Sequence, residues 1–185
     1  MALSICELRT ILHERYPELE LTPVRHADLM FEERVRLKCF QCANYQTKWT
    51  CPGRLPQLDF PKLIGEYKHL AVVRYQQSAV SSQESEIRNQ KTEIEYKRAG
   101  NELHKAMLYL ESELFKRGNP LAQSFIGGSC ELCDEGCSPD RCANPAQARI
   151  PWDATGCNVT RSLANIGIHV DFTGKDICRY GLLVW

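Results

Sequence analysis

Four cysteines fall within thirteen residues of the run GGSCELCDEGCSPDRCANP, at Cys130, Cys133, Cys137 and Cys142. Their spacing, C-x2-C-x3-C-x4-C, constrains the fold more than any other feature of the chain. Thiolate ligands close on a metal centre at about 2.3 Å each, so this segment has to wind round a common point and cannot form a helix or a strand. Gly127, Gly128, Ser129 and Gly136 let the backbone wrap closely and turn its N–H groups towards sulfur. Structural zinc usually takes two C-x2-C pairs separated by a longer excursion. One tight loop holding all four ligands is closer to the way a ferredoxin winds round a cubane. The expectation is therefore a [4Fe-4S] cluster on Cys130, Cys133, Cys137 and Cys142, with zinc as the alternative.

A second run, KCFQCANYQTKWTCPG, supplies Cys39, Cys42 and Cys51 at C-x2-C-x8-C-P. Pro52 removes a donor and fixes φ, sending the chain away from a metal after its third ligand. Phe40, Tyr45 and Trp49 interleave the ligands, where they serve either as a water shield or as ordinary core. A fourth ligand has to come from a distance, and Cys157 and Cys178 are the candidates. Without one, an iron keeps an open position of the kind that binds substrate. Cys6 lies on the apolar stripe of the first helix and reads as an inert buried thiol.

Ten cysteines in 185 residues raise the question of disulfides. The N-terminal stretch, however, carries Glu7 and Arg9 where a leader would be apolar, and reads as an amphipathic helix. In a reducing cytoplasmic setting, clustered cysteines bind metal or do redox chemistry.

Around these loops the chain reads as α/β, with helices packed on a central mixed sheet, in one domain over residues 1–185 and cysteine loops at 38–61 and 127–157. Residues 4–15 form a helix on Ile5, Leu8, Ile11 and Leu12. Val24–Leu37 reads as one or two strands, and His69–Tyr75 as a strand. After a polar passage (Gln76–Ser85), a long helix carries Ile87, Ile94, Ala99, Leu103, Ala106, Met107, Leu110 and Leu114 on one face and stops at Gly118 and Pro120. Its first half is polar all round, suited to covering a partner or a site. Leu121–Gly128 is a short strand, 160–166 a short helix, and Ile168–Phe172 and Tyr180–Trp185 are strands.

Lys+Arg and Asp+Glu balance at 23 each, so no global field attracts nucleic acid or an anionic membrane. No apolar stretch is long enough to span a bilayer. G-x-S-x-G, the P-loop and G-x-G-x-x-G are absent. The histidines are scattered, and His26 and His169 read as structural imidazoles. Lys38, Lys48, Arg54, Arg141 and Arg149 stand near the ligands, either offsetting cluster charge or simply solvated. Cys39-x2-Cys42 also matches a thioredoxin-like pair, but Cys51-Pro52 and the second run favour metal.

Together, the basic lead-in to Cys39-x2-Cys42, Tyr45 and Trp49 before Cys51-Pro52, the glycine-rich entry to Cys130-x2-Cys133, Cys142-x2-Pro145, and Ala148-Arg149 resemble a family of predicted metal-binding proteins of anaerobic bacteria and archaea. The resemblance spans roughly residues 30–185 and implies metal binding and an anaerobic setting. The chain departs from that pattern at Gly53, where a second proline is usual, and in having Cys157 where the family often places a cysteine near Thr155. Three readings follow: an electron carrier with two [4Fe-4S] clusters serving a redox partner or larger oxidoreductase complex, an enzyme activating a substrate at an open three-cysteine cluster, and a zinc-stabilised interaction protein.

Overall fold

The computed structural model describes residues 3–78, 85–170, 172 and 176–185, without the side chains of Ser78 and residues 85–92. Helix α1 (Ile5–Arg15) starts at a capping box. Ser4 Oγ accepts from the Glu7 N–H at 3.3 Å, and the Glu7 carboxylate accepts from the Ser4 N–H at 2.9 Å. Strand β1 (Leu19–Val24) follows, then a 3-10 turn (His26–Asp28), α2 (Glu33–Phe40), α3 (Phe60–Gly65) and β2 (Leu70–Ser78). The long helix α4 (Ser85–Lys116) leads to β3 (Gln123–Phe125). A 3-10 turn (Asp153–Thr155), α5 (Val159–Asn165) and β4 (Asp176–Val184) complete the chain.

The strands lie in the order β1-β2-β4-β3, and all three pairings are antiparallel. This corrects the expected mixed sheet. β2 and β3 run in the same direction but never touch, because the last strand slots between them and reverses both contacts. The α/β class stands.

Alternate residues of β2 face opposite sides, which is why His69–Tyr75 reads as continuously apolar. Ala71, Val73 and Tyr75 pack under α1 and α4, whose Leu8, Leu12, Leu103, Met107, Leu110 and Leu114 are fully buried. Leu70 and Val72 meet Phe60 and Ile64 of α3, Trp152, and Leu163 of α5 on the other face. That second layer carries the cysteine loops.

Among the described residues, two expected strands are absent. Glu33–Phe40 is helical, although Val35, Leu37 and Cys39 alternate with charges. No part of α2 is buried, so there is no sheet face for that alternation to fill, and Glu, Arg, Leu and Lys follow their helical propensity. Residues 168–170 are irregular. Cys6 is exposed, not buried, since α1 buries only Leu8 and Leu12. Ile94 is 68% exposed and the Ile87 side chain lies outside the described residues, so the apolar face of α4 begins at Ala99. Residues 79–84 of the polar passage, and Asp171, also lie outside them.

Candidate metal centre

All ten cysteines are free thiols. Cys39 sits in the last turn of α2, and the Cys42 N–H donates to the Cys39 carbonyl at 3.1 Å. Turns then follow one another, Tyr45 N–H to Cys42 O at 3.0 Å and Cys51 N–H to Lys48 O at 3.1 Å. Residues three apart on such turns share a side. Cys39, Cys42 and Cys51 consequently line one cavity of about 200 Å³. Pro52 leads into Gly53, whose φ of +93° lies far outside proline's reach, so the departure from the family's second proline is a backbone requirement here.

The second loop leaves the sheet at Gly127 and Gly128. A Cβ on Gly127 would stand 2.3 Å from the Tyr180 carbonyl oxygen, so only glycine lets the loop pass this close to β4. Beyond it, Cys130, Cys133, Cys137 and Cys142 line a cavity of about 350 Å³. Its far wall is the early part of α4 (Glu93, Tyr96, Lys97), so the polar half of that helix covers a site. Arg179 stacks over Tyr96 at 4.0 Å and donates to the Tyr96 carbonyl, fixing α4 against β4 at the cavity edge.

The loops are bolted together. Lys48 Nζ donates to Ser129 Oγ at 3.0 Å and to the Cys130 carbonyl at 2.9 Å, and Trp49 Nε1 donates to the Ser138 carbonyl at 2.8 Å. Arg54 stacks on Trp49 at 4.5 Å. Trp49 is thus a cross-loop anchor, whereas Phe40 is 63% exposed and shields nothing. Ser129 lines the first cavity and Cys130 the second, so the two cavities adjoin at that peptide.

Electrostatics follows burial. Desolvation pushes the Cys39 and Cys51 thiols up to about 11, and the Asp153 carboxylate adds to the rise in both. Burial raises Cys130 as well, opposed by the backbone N–H groups of Leu132 and Arg149. Metal loading therefore has to release protons from these thiols. Asn44 N–H approaches Cys42 Sγ at 3.5 Å and Asn144 Nδ2 approaches Cys133 Sγ at 3.3 Å, the kind of N–H···S contact that stabilises a ligated thiolate.

Neither distant cysteine lines the first cavity. Cys157 is fully buried in the core beneath α5, its sulfur 3.3 Å from Ser162 Oγ. Cys178 lies on β4 in a neighbouring groove. Asp153, which sequence reasoning passed over, does line the three-cysteine cavity. Thr50 was also missed. Its hydroxyl is buried beside the four-cysteine cavity with no hydrogen-bond partner.

The residues fit a thiolate-held metal group: two sets of soft donors, N–H contacts to sulfur, and an orphaned hydroxyl on the wall. Among the described residues, no three Cys, His, Asp or Glu groups close tightly enough to hold one metal ion. Each thiol set lines its own cavity.

The second loop returns to the sheet through a buried ion pair. Arg149 forks onto the Glu111 carboxylate, with Nε–Oε1 at 2.8 Å, and that carboxylate also accepts from the Ser124 N–H at 2.6 Å and from its hydroxyl. Beside it, His104 Nε2 lies 2.8 Å from the Gln147 carbonyl. Burial lowers the His104 pKa, and Arg149 opposes its protonation further. A depressed folded pKa means that the neutral ring's stabilisation is complete above the ordinary value of about 6.5 and is lost as pH falls towards the folded pKa. Thermal midpoints should therefore fall on acidification below about pH 6.5, and His104→Gln should flatten that slope while keeping a donor for Gln147.

The site is a pair of cysteine-lined cavities carried on an antiparallel sheet. A family model described as Predicted metal-binding protein (DUF2284) matches residues 22–184, and the chain belongs to that family. Searches of the curated proteins and of the solved structures returned no match. Among the described residues, no helix is long and apolar enough to cross a membrane.

Proposed function

We propose that this protein is a cytoplasmic iron–sulfur electron carrier with two [4Fe-4S] clusters, one on Cys130, Cys133, Cys137 and Cys142 and the other on Cys39, Cys42 and Cys51, passing low-potential electrons to a redox partner or larger oxidoreductase complex in an anaerobic system. The observation that carries this reading is the adjacency of the two thiol-lined cavities across the Ser129–Cys130 peptide. A single tetrahedral ion with bonds of about 2.3 Å draws its sulfurs to within about 3.8 Å of one another. A four-iron cube holds its thiolates further apart, which suits donors that line a cavity. Centres in adjoining cavities suit electron exchange, and two structural zinc ions would gain nothing from lying side by side. When bound, such clusters supply one-electron redox capacity. The chain's own contribution is to hold the ligands, place the positive charge of Lys48 between the sites and keep Asn44 and Asn144 as donors to sulfur.

The enzyme reading has one observation in its favour, a cavity with three thiols rather than four. Stepwise anaerobic reduction separates the two. An electron carrier should accept about one electron per cluster reversibly, with reduced-state EPR showing two spin-coupled centres and no response to small thiols or thioamides. A signal shifted by such a ligand would replace this reading with the enzyme.

A further inference from the structure

We propose that the Asp153 carboxylate is the fourth protein ligand of the metal centre held by Cys39, Cys42 and Cys51. This rests on the iron–sulfur reading above and identifies the donor that sequence spacing leaves open.

Among the residues lining the three-cysteine cavity, Asp153 is the one carboxylate. Two other polar groups on that wall are poorer candidates. Ser129 Oγ is already engaged by Lys48 at 3.0 Å, and Lys38 is a cation. Asp153 is exposed, and it lines both this cavity and the groove beside it. The neighbours that favour its charged form are the backbone N–H groups of its own residue and of Ala154, the latter already donating to the Pro151 carbonyl at 3.0 Å, and among the described residues it has no cationic partner. A carboxylate has about four lone-pair sites, so these two short-range contacts leave room for a metal.

Its position is built rather than accidental. The turn carrying it is closed by the Gly156 N–H on the Asp153 carbonyl at 2.9 Å, with Gly156 at a φ of +85°. The same glycine's carbonyl accepts from the Glu32 N–H at 2.9 Å, and Phe31 pairs with Cys157. This strap ties the turn to the entry of α2, the helix whose last turn presents Cys39. It also turns Cys157 into the core against Ser162, away from the cavity.

A hard oxygen among sulfur donors makes one iron the weakest-held of its cluster and the one open to exchange. In 57Fe-enriched wild type, Mössbauer spectra should therefore contain one oxygen-ligated iron subsite. Asp153→Cys should convert that subsite to a thiolate one and retain all the iron. Asp153→Ala should lose about one iron per chain and give a three-iron EPR signal on mild oxidation, the four-cysteine centre unchanged. An Asp153→Ala protein with wild-type iron and subsites, or loss of the unusual subsite in Cys178→Ala or Cys157→Ser instead, would overturn the proposal while leaving the iron–sulfur reading intact. Should Asp153→Ala not fold, the wild-type and Asp153→Cys spectra decide alone. A wild type that takes up no iron removes the underlying reading, and the proposal with it.

Discussion

Cys133→Ala is expected to lose about half of the protein's iron and acid-labile sulfide, and Cys42→Ala the other half, with the double variant nearly iron-free. The cavities are adjacent but their thiols are separate, so each centre should assemble without the other's ligands. Cys133 is a demanding choice, because its sulfur takes the Asn144 side-chain donor and its carbonyl accepts from the Gly136 N–H at 3.2 Å. Removing the sulfur leaves that backbone turn intact, so the loop keeps its path while the site loses one of four donors. Cys6→Ala is the control. Its thiol is exposed on α1, and its removal should leave iron content unchanged. Iron and sulfide analysis of anaerobically purified variants reads the result directly. If one variant empties both sites, the centres are not independent and the loops assemble only as a unit.

Glu111→Ala should destabilise the fold by about 3–5 kcal/mol, the usual cost of removing one partner from a buried ion pair. Three groups depend on this carboxylate: the Arg149 guanidinium and the N–H and hydroxyl of the fully buried Ser124. The side chains of Glu111 and Arg149 are only 11% and 15% exposed, so water cannot take the carboxylate's place. For a chain of this size that loss lowers the thermal midpoint by about 10 °C. Glu111→Gln retains acceptors for Ser124 and should cost less. Because Arg149 ends the second loop and its backbone N–H favours the Cys130 thiolate, the destabilised variant should also load its four-cysteine centre more slowly. Thermal unfolding of the metal-free protein, with a parallel loading time course, checks both. An Arg117→Ala variant, which breaks a more exposed pair on Glu113, sets the scale of a surface ion pair at about 1 kcal/mol or less.

What could be read from the sequence follows how local each determinant is. The Ser4–Glu7 capping box, the stop at Gly118 and the apolar stripe from Ala99 to Leu114 are set within a few residues, and α1 and α4 fall where they were expected. The grouping of the thiols is local too, since each set spans a short loop. α2 was misread because period-two alternation counts as strand evidence only when a sheet waits to bury one face, and nothing in residues 33–40 says whether one does. Asp153 and Thr50 were invisible for a different reason. Asp153 is held at the first cavity by long-range contacts, among them the Phe31–Cys157 pairing made across most of the chain. Thr50, a neighbour in sequence of Cys51, turns instead to the cavity of the other loop. The same long-range geometry puts Cys157 in the core and Cys178 on a strand, where spacing alone had left both free to serve the site.

The most direct test of the account is a quantitative assay of iron, acid-labile sulfide and zinc per chain on protein purified without oxygen. Two four-iron clusters predict about eight irons and eight sulfides per chain, little zinc, and a broad absorption band near about 400 nm. A colourless protein carrying stoichiometric zinc and no sulfide would contradict it.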